Sequence, residues 1–271
     1  RGSSSTEVLG FDIASVDETK DMWRETIREI PKMWKDEVYS YEGRHFRVPE
    51  RKIFPCPHGP AHPAMWVAGG SPGTFTEAGE MGLGVFCFAL GKPSQMEPLL
   101  RAYKDAIGGA TPVGDYVNDN IMGVTNMLCM EDRNKAFEVA SNMGMNYYSS
   151  LAYHWLDNVP RPKDLPEWPT KIPEPTPEQV EYLSSEGFVA IGDPDDCARS
   201  VQRWVDLGFD QLTFSPTTNT LPTETVVASM ELFGREVIPR FDTDPVHSTT
   251  RYREAATGET LPGVVEGFDV V

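Results

Sequence analysis

One stretch of the sequence decides the fold class: Pro63-Ala64-Met65-Trp66-Val67-Ala68-Gly69-Gly70-Ser71-Pro72-Gly73-Thr74. Its first half is a short apolar run, which predicts a buried strand over 63–68. Its second half is a glycine-rich turn, and the residues that follow predict a helix over 74–81. A short apolar strand that enters a helix through a tight turn is typical of the repeating unit of a parallel sheet.

The same order recurs along the chain. Continuous apolar runs predict further buried strands at 85–90, 120–130 and 210–216, and helices are predicted at 94–107, 133–151 and from Pro194 onward. Strands that are apolar on both faces indicate a parallel sheet covered by helices on both sides. The sequence therefore predicts an α/β protein. A barrel is preferred over an open doubly wound sheet because each helix leads directly to the next strand, although periodicity alone does not decide between them.

The two ends of the chain predict different structures. An amphipathic helix is expected over 17–36, followed by a surface hairpin around Glu42-Gly43. We expect residues 1–241 to form the barrel domain and residues 242–271 to form a polar C-terminal arm that packs on a neighbouring subunit.

A proline-rich insertion lies at about 155–180, with seven prolines between Asn158 and Pro177. An ordered loop of this length is either a lid over a binding site or a surface decoration.

Composition excludes several classes of function. The chain has 271 residues and a net charge of −17. So acidic a surface repels phosphate backbones and anionic membranes, and we expect neither partner. The four widely spaced cysteines fit neither a zinc site nor a disulfide framework, which indicates free thiols in a cytoplasmic protein. His58 and His62 are a weak metal-ligand pair, because the surrounding prolines forbid a helix.

The turn at 69–74 is a candidate phosphate site. Gly69 and Gly70 allow a ligand to approach the backbone, and the helix start presents free N–H groups with the positive end of the helix dipole. Ser71 and Thr74 add two hydroxyl groups on one side of the first turn. The pattern matches neither the dinucleotide nor the triphosphate motif. The alternative interpretation is that Ser71 only caps the helix.

These residues resemble a known family. Residues 63–75, with Ala78-Gly79-Glu80-Met81-Gly82-Leu83-Gly84, are similar to the fifth strand and the following helix of the bacterial luciferase-like flavin-dependent monooxygenases. Three more stretches are typical of that superfamily: Tyr41-Glu42-Gly43, Gly192-Asp193-Pro194-Asp195 and Gly208-Phe209-Asp210-Gln211-Leu212. The resemblance covers most of the chain from Arg1 to about Phe241.

The resemblance implies a (β/α)8 barrel that binds reduced FMN, or a deazaflavin in some branches, at the carboxyl ends of its strands. It places the flavin phosphate against Ser71 and Thr74, against backbone N–H groups of the turn that contains Gly69 and Gly70, and against Arg1. An expression-tag remnant is the alternative origin of Arg1. The chain would represent about the C-terminal half to two thirds of the barrel. Further coding sequence is expected upstream, and the alternative is that another chain completes the barrel.

The implied function is that of a flavin-dependent oxidoreductase, a monooxygenase that uses reduced FMN and oxygen on a small organic substrate. A partner reductase would supply the reduced flavin, and the frequent dimers of the family suggest a homodimer. The alternatives are a deazaflavin-dependent dehydrogenase, a non-catalytic flavin-binding protein, and another phosphate-recognising barrel in which Lys92 would form a Schiff base.

Few residues that take part in catalysis or contact the substrate are expected in this chain. The family places its catalytic histidines in early strands, so no catalytic residue is predicted. His154 is a candidate substrate residue near the proline-rich insertion, or else a histidine hydrogen-bonded at a helix end. Thr213 and Ser215 end the last predicted strand, where barrels place functional side chains, although both could equally be strand-end caps.

Overall fold

The computed structural model describes residues 10–11, 13, 15–57, 59, 61–88, 92–143, 150, 153, 163–167, 170–216, 221–244 and 246–258. The chain divides into two compact units. The first unit comprises Arg1–Trp23, Cys87–Pro98 and Met122–Thr243. The second unit comprises Arg24–Phe86, Leu99–Ile121 and Asp244–Val271.

Each strand of the parallel sheet is followed along the chain by a helix. The strands are β1 (Tyr39–Glu42), β2 (Arg47–Arg51), β3 (Trp66–Ala68), β4 (Gly84–Phe88), β5 (Ile121–Cys129), β6 (Ala190–Gly192) and β7 (Gln211–Ser215). The helices are α1 (Val16–Lys35), α2 (Pro72–Glu80), α3 (Glu97–Ile107), α4 (Arg133–Ala140), α5 (Pro177–Ser185), α6 (Pro194–Leu207), α7 (Thr223–Glu236) and α8 (Ser248–Thr257). Short 3₁₀ helices lie at Pro93–Met96 and Ile238–Arg240. Within the described part of the chain, no helix has both the length and the apolarity that crossing a bilayer requires.

The second unit contains the predicted hairpin and the first βα unit. Strands β1 and β2 pair antiparallel, and the Gly43 N–H donates to the Phe46 carbonyl across the turn (3.0 Å). Strands β3 and β4 pair in parallel with Trp66 opposite Gly84. Helices α2 and α3 pack closely, because a Cβ on Gly79 would lie 2.9 Å from the Ala106 Cβ.

The C-terminal helix α8 packs within the second unit through polar contacts. The Ser248 hydroxyl donates to the Asn120 side chain (2.6 Å), and the Tyr252 hydroxyl donates to the Asp119 carbonyl (3.2 Å). The Asn120 amide donates in turn to the buried Asn118, which donates to the Met65 carbonyl just before β3 (3.0 Å). A chain of hydrogen bonds therefore joins α8 to the amino end of β3.

The first unit is built on β5. Its residues Met122–Asn126 pair in parallel with β7, and Met127–Cys129 pair in parallel with β6. One apolar cluster packs Met127 and Ala190 against α6 and α7. A second cluster packs Leu128 and Ile191 against α4 and α5. Helices thus cover both faces of β5 and β6, as the apolar strands predict.

Several element predictions are confirmed, and others need correction. The hairpin, the four predicted strands and helix α6 lie where the sequence places them. The predicted end of α4 is wrong, since the helix ends at Ala140 and not at 151. The Ser141 hydroxyl and the Asn142 amide both donate to the Glu138 carbonyl, which satisfies the helix end. The polar arm also contains a helix, α8. Of the proline-rich insertion, residues 155–162 and 168–169 lie outside the described residues.

Candidate functional site

The candidate site is the turn between β3 and α2, in the second unit. The Gly69 N–H donates to the Phe86 carbonyl (3.0 Å) and extends the parallel β3–β4 ladder by one residue. Ser71 then adopts an extended conformation (φ −130°, ψ 151°) and caps α2, whose first residue is Pro72. Proline is preorganised for this position because its φ is fixed and its missing N–H is not needed there.

Two hydroxyl groups meet at this turn. The Ser71 Oγ lies 3.1 Å from the Thr74 Oγ1, and it accepts a hydrogen bond from the Thr74 N–H (3.4 Å). Gly70, Ser71 and Gly73 are exposed. Hydroxyl protons rotate freely, so both groups can turn to donate to a ligand oxygen.

The backbone of the turn leaves room for a ligand. A Cβ on Gly69 would lie 2.9 Å from the Thr74 Cγ2, so a side chain at this position would press on Thr74. A Cβ on Gly70 or Gly73 would meet no atom within 4 Å, which shows open space on the outer side of the turn.

The charge around the turn suits an anion. The first turn of α2 contains no acidic residue. The carboxylate of Glu77, one turn further on, pairs with the Arg24 guanidinium. The helix start adds N–H groups without intrahelical acceptors and the positive end of the dipole. The two hydroxyl groups, an open glycine backbone and a helix start together fit a phosphate group.

The other predicted site residues fare differently. Arg1 and His154 lie outside the described residues, as does His58. The Thr213 side chain is exposed, and its hydroxyl contacts the Met122 Sδ (3.2 Å). Ser215 pairs in register with Asn126 on β5.

His62 has a structural role. The Asp115 N–H donates to its Nε2 (2.8 Å), and its Nδ1 lies 2.8 Å from the Pro63 carbonyl oxygen. A neutral ring with its proton on Nδ1 satisfies both contacts. The ring is buried and stacks on Tyr116 at 4.8 Å between centroids. Among the described residues, no group of potential ligands could hold a metal ion.

Lys92 does not suit Schiff-base chemistry. Its Nζ donates to the Tyr182 hydroxyl (2.8 Å) and pairs with the Glu186 carboxylate. The bond to Glu186, together with the bond to Tyr182, raises the pKa of Lys92. A Schiff-base lysine needs a lowered pKa, so the aldolase-type alternative loses its candidate nucleophile.

Sequence reasoning missed Phe88. The run 85–90 reads as a continuously buried strand, yet β4 ends at Phe88, whose side chain is 70% exposed. An exposed aromatic ring at the carboxyl end of a parallel strand lies where α/β barrels bind their ligands. The only signal for it in the sequence is the Gly91-Lys92-Pro93 turn shortly afterwards.

Comparison with known proteins gives a family match over most of the chain. Residues 1–211 match the family described as luciferase-like monooxygenase. The F420-dependent glucose-6-phosphate dehydrogenase of Kineococcus radiotolerans is 26% identical over 192 residues, covering 70% of this chain and 53% of that protein. The chain thus spans about half the length of this curated relative.

Solved structures share the fold. The monooxygenase RslO1 from Streptomyces bottropensis has a TM-score of 0.68 at 19% identity, covering 89% of this chain and 67% of that one. The oxygenating constituent of 3,6-diketocamphane monooxygenase from Pseudomonas putida, in complex with FMN, has a TM-score of 0.58 at 18% identity, covering 82% and 63%. These matches confirm the predicted α/β barrel class, which the chain covers in part. By the extent of its family match, the chain belongs to the luciferase-like monooxygenase family.

Proposed function

We propose that this chain holds the phosphate of a flavin-type cofactor and belongs to an oxidoreductase that uses that cofactor. The observation that carries the proposal is the hydroxyl pair of the exposed Ser71 and the half-buried Thr74, 3.1 Å apart at the start of α2. Family membership supports a flavin-type cofactor as the source of the phosphate. A non-catalytic flavin-binding protein would use the same turn, so turnover is a separate test.

The deazaflavin F420 is the cofactor that we favour. The curated relative at 26% identity is F420-dependent by name, whereas the structure with bound FMN, at 18% identity, supports the fold alone. This preference reverses the order of the sequence analysis, where reduced FMN and a monooxygenase came first. The favoured activity is therefore hydride transfer between an organic substrate and F420.

The chain's own residues would position the cofactor. When bound, a deazaflavin supplies the carbon that accepts or donates the hydride. Ser71 and Thr74 would donate hydrogen bonds to phosphate oxygens, and the open space at Gly70 and Gly73 would admit the phosphate to the backbone. Arg1 stays a predicted contributor. We assign no residue of this chain to proton transfer.

The proposed activity decides whether a partner reductase is needed. A dehydrogenase reduces its own cofactor with the substrate, so it needs no flavin reductase, whereas a monooxygenase would need one. The homodimer stays a prediction. A cytoplasmic location is also proposed, because Cys87, Cys129 and Cys197 are buried free thiols.

The test is a titration of the 271-residue chain with F420 and, separately, with FMN, followed by cofactor fluorescence and by the melting temperature. We expect saturable binding of both, tighter for F420, and a rise in melting temperature upon binding. Tighter binding of FMN would contradict the cofactor choice. No binding of either by a cooperatively folded chain would contradict the proposed function.

A further inference from the structure

Three of the parallel strands are each followed by a basic residue that pairs with a carboxylate. Lys92 follows β4, Arg133 follows β5 and Arg199 follows β6, and all three belong to the first unit. In α/β barrels the segments after the strands form the ligand-binding face. A phosphorylated or carboxylated substrate would be expected to use such cations, because charge-assisted hydrogen bonds are the strongest recognition available to it.

Lys92 contacts two residues at the carboxyl end of α5: Tyr182 of the helix and Glu186, which caps it. Its ammonium donates to the Tyr182 hydroxyl (2.8 Å), pairs with Glu186 and lies 5.1 Å from the centre of the Tyr182 ring. The bond to Lys92 lowers the pKa of Glu186, so the carboxylate is charged at neutral pH. The lysine charge is therefore matched inside the protein.

The two arginines are matched in the same way. The Arg133 Nε donates to Asp196 (2.8 Å), and its Nη2 donates to Glu181 (2.7 Å). Arg199 pairs with the other oxygen of Asp196. Since the Asp196 carboxylate is buried, removing either arginine from it would carry a desolvation cost. At each of the three positions, an anionic substrate would therefore have to displace a carboxylate that already pairs with the cation.

The group exposed at the end of β4 is apolar. Phe88 is the last residue of the strand and is 70% exposed, four residues before the paired Lys92. An aromatic ring at that position favours an uncharged, partly apolar ligand.

We propose that the substrate of this protein is an uncharged organic molecule, and that Glu186 and Tyr182 keep Lys92 from binding an anionic one. This inference rests on the proposed function and names its substrate class. Lys92 is then a specificity residue by virtue of its pairing, and the substrate class differs from the sugar phosphate in the name of the curated relative.

The test compares glucose 6-phosphate, as an anionic probe, with glucose, as its uncharged counterpart. Both are titrated calorimetrically at low salt, with F420 present at saturation so that the Ser71–Thr74 turn is occupied. The two proteins compared are the wild-type chain and Glu186→Gln, which removes the charge paired with Lys92. We expect the wild type to bind glucose 6-phosphate no more tightly than glucose. In Glu186→Gln the affinity for glucose 6-phosphate should rise about tenfold, the gain expected from one charge-assisted contact. Glu178→Gln is the matched control, because Glu178 is an exposed carboxylate of the same helix.

A second variant keeps the test decisive if Glu186→Gln does not fold. Lys92→Met should leave the wild-type affinity for glucose 6-phosphate unchanged, because that lysine is already engaged. A wild-type preference for glucose 6-phosphate that Lys92→Met removes would overturn the inference, as would a folded Glu186→Gln without any gain. F420 is titrated into each protein beforehand, so that loss of cofactor binding counts against the proposed function and not against the substrate class.

Discussion

The Ser71 Oγ and the Thr74 Oγ1 lie 3.1 Å apart at the start of α2. The contact joins the residue that caps the helix to a residue of its first turn. A cap alone needs only the Ser71 oxygen, which already accepts the Thr74 N–H. The second hydroxyl, beside an exposed glycine backbone, adds a donor that the helix itself does not require, and an anionic ligand can use it.

Gly192 ends β6 under two constraints. Its φ of +139° is unfavourable for other residues, and a Cβ there would lie 2.5 Å from the Asp196 Cβ. Gly192→Ala should lower the free energy of unfolding by about 2–5 kcal/mol, from backbone strain plus overpacking. Gly208→Ala is the matched control, because Gly208 also has a positive φ but open space around it. It should cost about 1–2 kcal/mol. Equal losses in urea unfolding would show that the contact with Asp196 is unimportant.

Helix α8 should stabilise the second unit through Ser248. Its hydroxyl donates to Asn120, which is fully buried. Ser248→Ala is expected to lower the free energy of unfolding by about 1 kcal/mol, the net value of one such hydrogen bond. Thr250→Ala, in the same helix, serves as the control in thermal unfolding. If both variants melt alike, the contact does not hold the helix in place.

The Lys92–Glu186 pair predicts a pH dependence. The pKa of Glu186 is lowered by Lys92, so its contribution to stability is present above the ordinary glutamate pKa of about 4.3 and is lost as the pH falls through the lowered value. The pKa of Lys92 is raised, so its contribution is complete below about 10.4 and is lost as the pH rises through the raised value. The melting temperatures of wild type and Glu186→Gln should therefore differ between these limits and converge in acid. A difference that persists in strong acid would speak against the pair.

The four cysteines should react unequally. Cys56 is exposed, whereas Cys87, Cys129 and Cys197 are buried, and burial raises the pKa of Cys87 to about 12. A thiol is unreactive while it is protonated and shielded. Alkylation of the native chain by iodoacetamide, read by peptide mass spectrometry, should label Cys56 alone, and denaturation should expose all four. Rapid native labelling of Cys87 would contradict the packing of β4.

Local sequence signals were sufficient where apolar patterning and capping agree. The Asp193-Pro194 start of α6 and the apolar strand before Ser71 are examples, since each element is defined by residues close in sequence. Helix α2 was expected from 74 and begins at Pro72, because the serine cap and the proline after it set the first turn.

The missed elements have physical reasons. Strand β6 has three residues, too few to show a period. Helix α5 begins with a Thr176–Gln179 capping box inside a proline-rich stretch that reads as loop. Helix α8 lacks an apolar face and packs through Ser248 and Tyr252, contacts that hydropathy does not reveal. The pairing of Lys92 with Glu186 joins residues far apart in sequence, so only the fold brings it to light.

The central claim is that Ser71 and Thr74 bind the cofactor phosphate, and the affinity for F420 of the Ser71→Ala/Thr74→Val variant tests it most directly. Loss of two charge-assisted hydrogen bonds, about 1.5–3 kcal/mol each, should weaken binding at least about a hundredfold. Thr176→Ala is the matched control, because it removes the threonine cap before another proline-started helix. It should leave the affinity unchanged. An unchanged F420 affinity in the folded double variant would contradict the account.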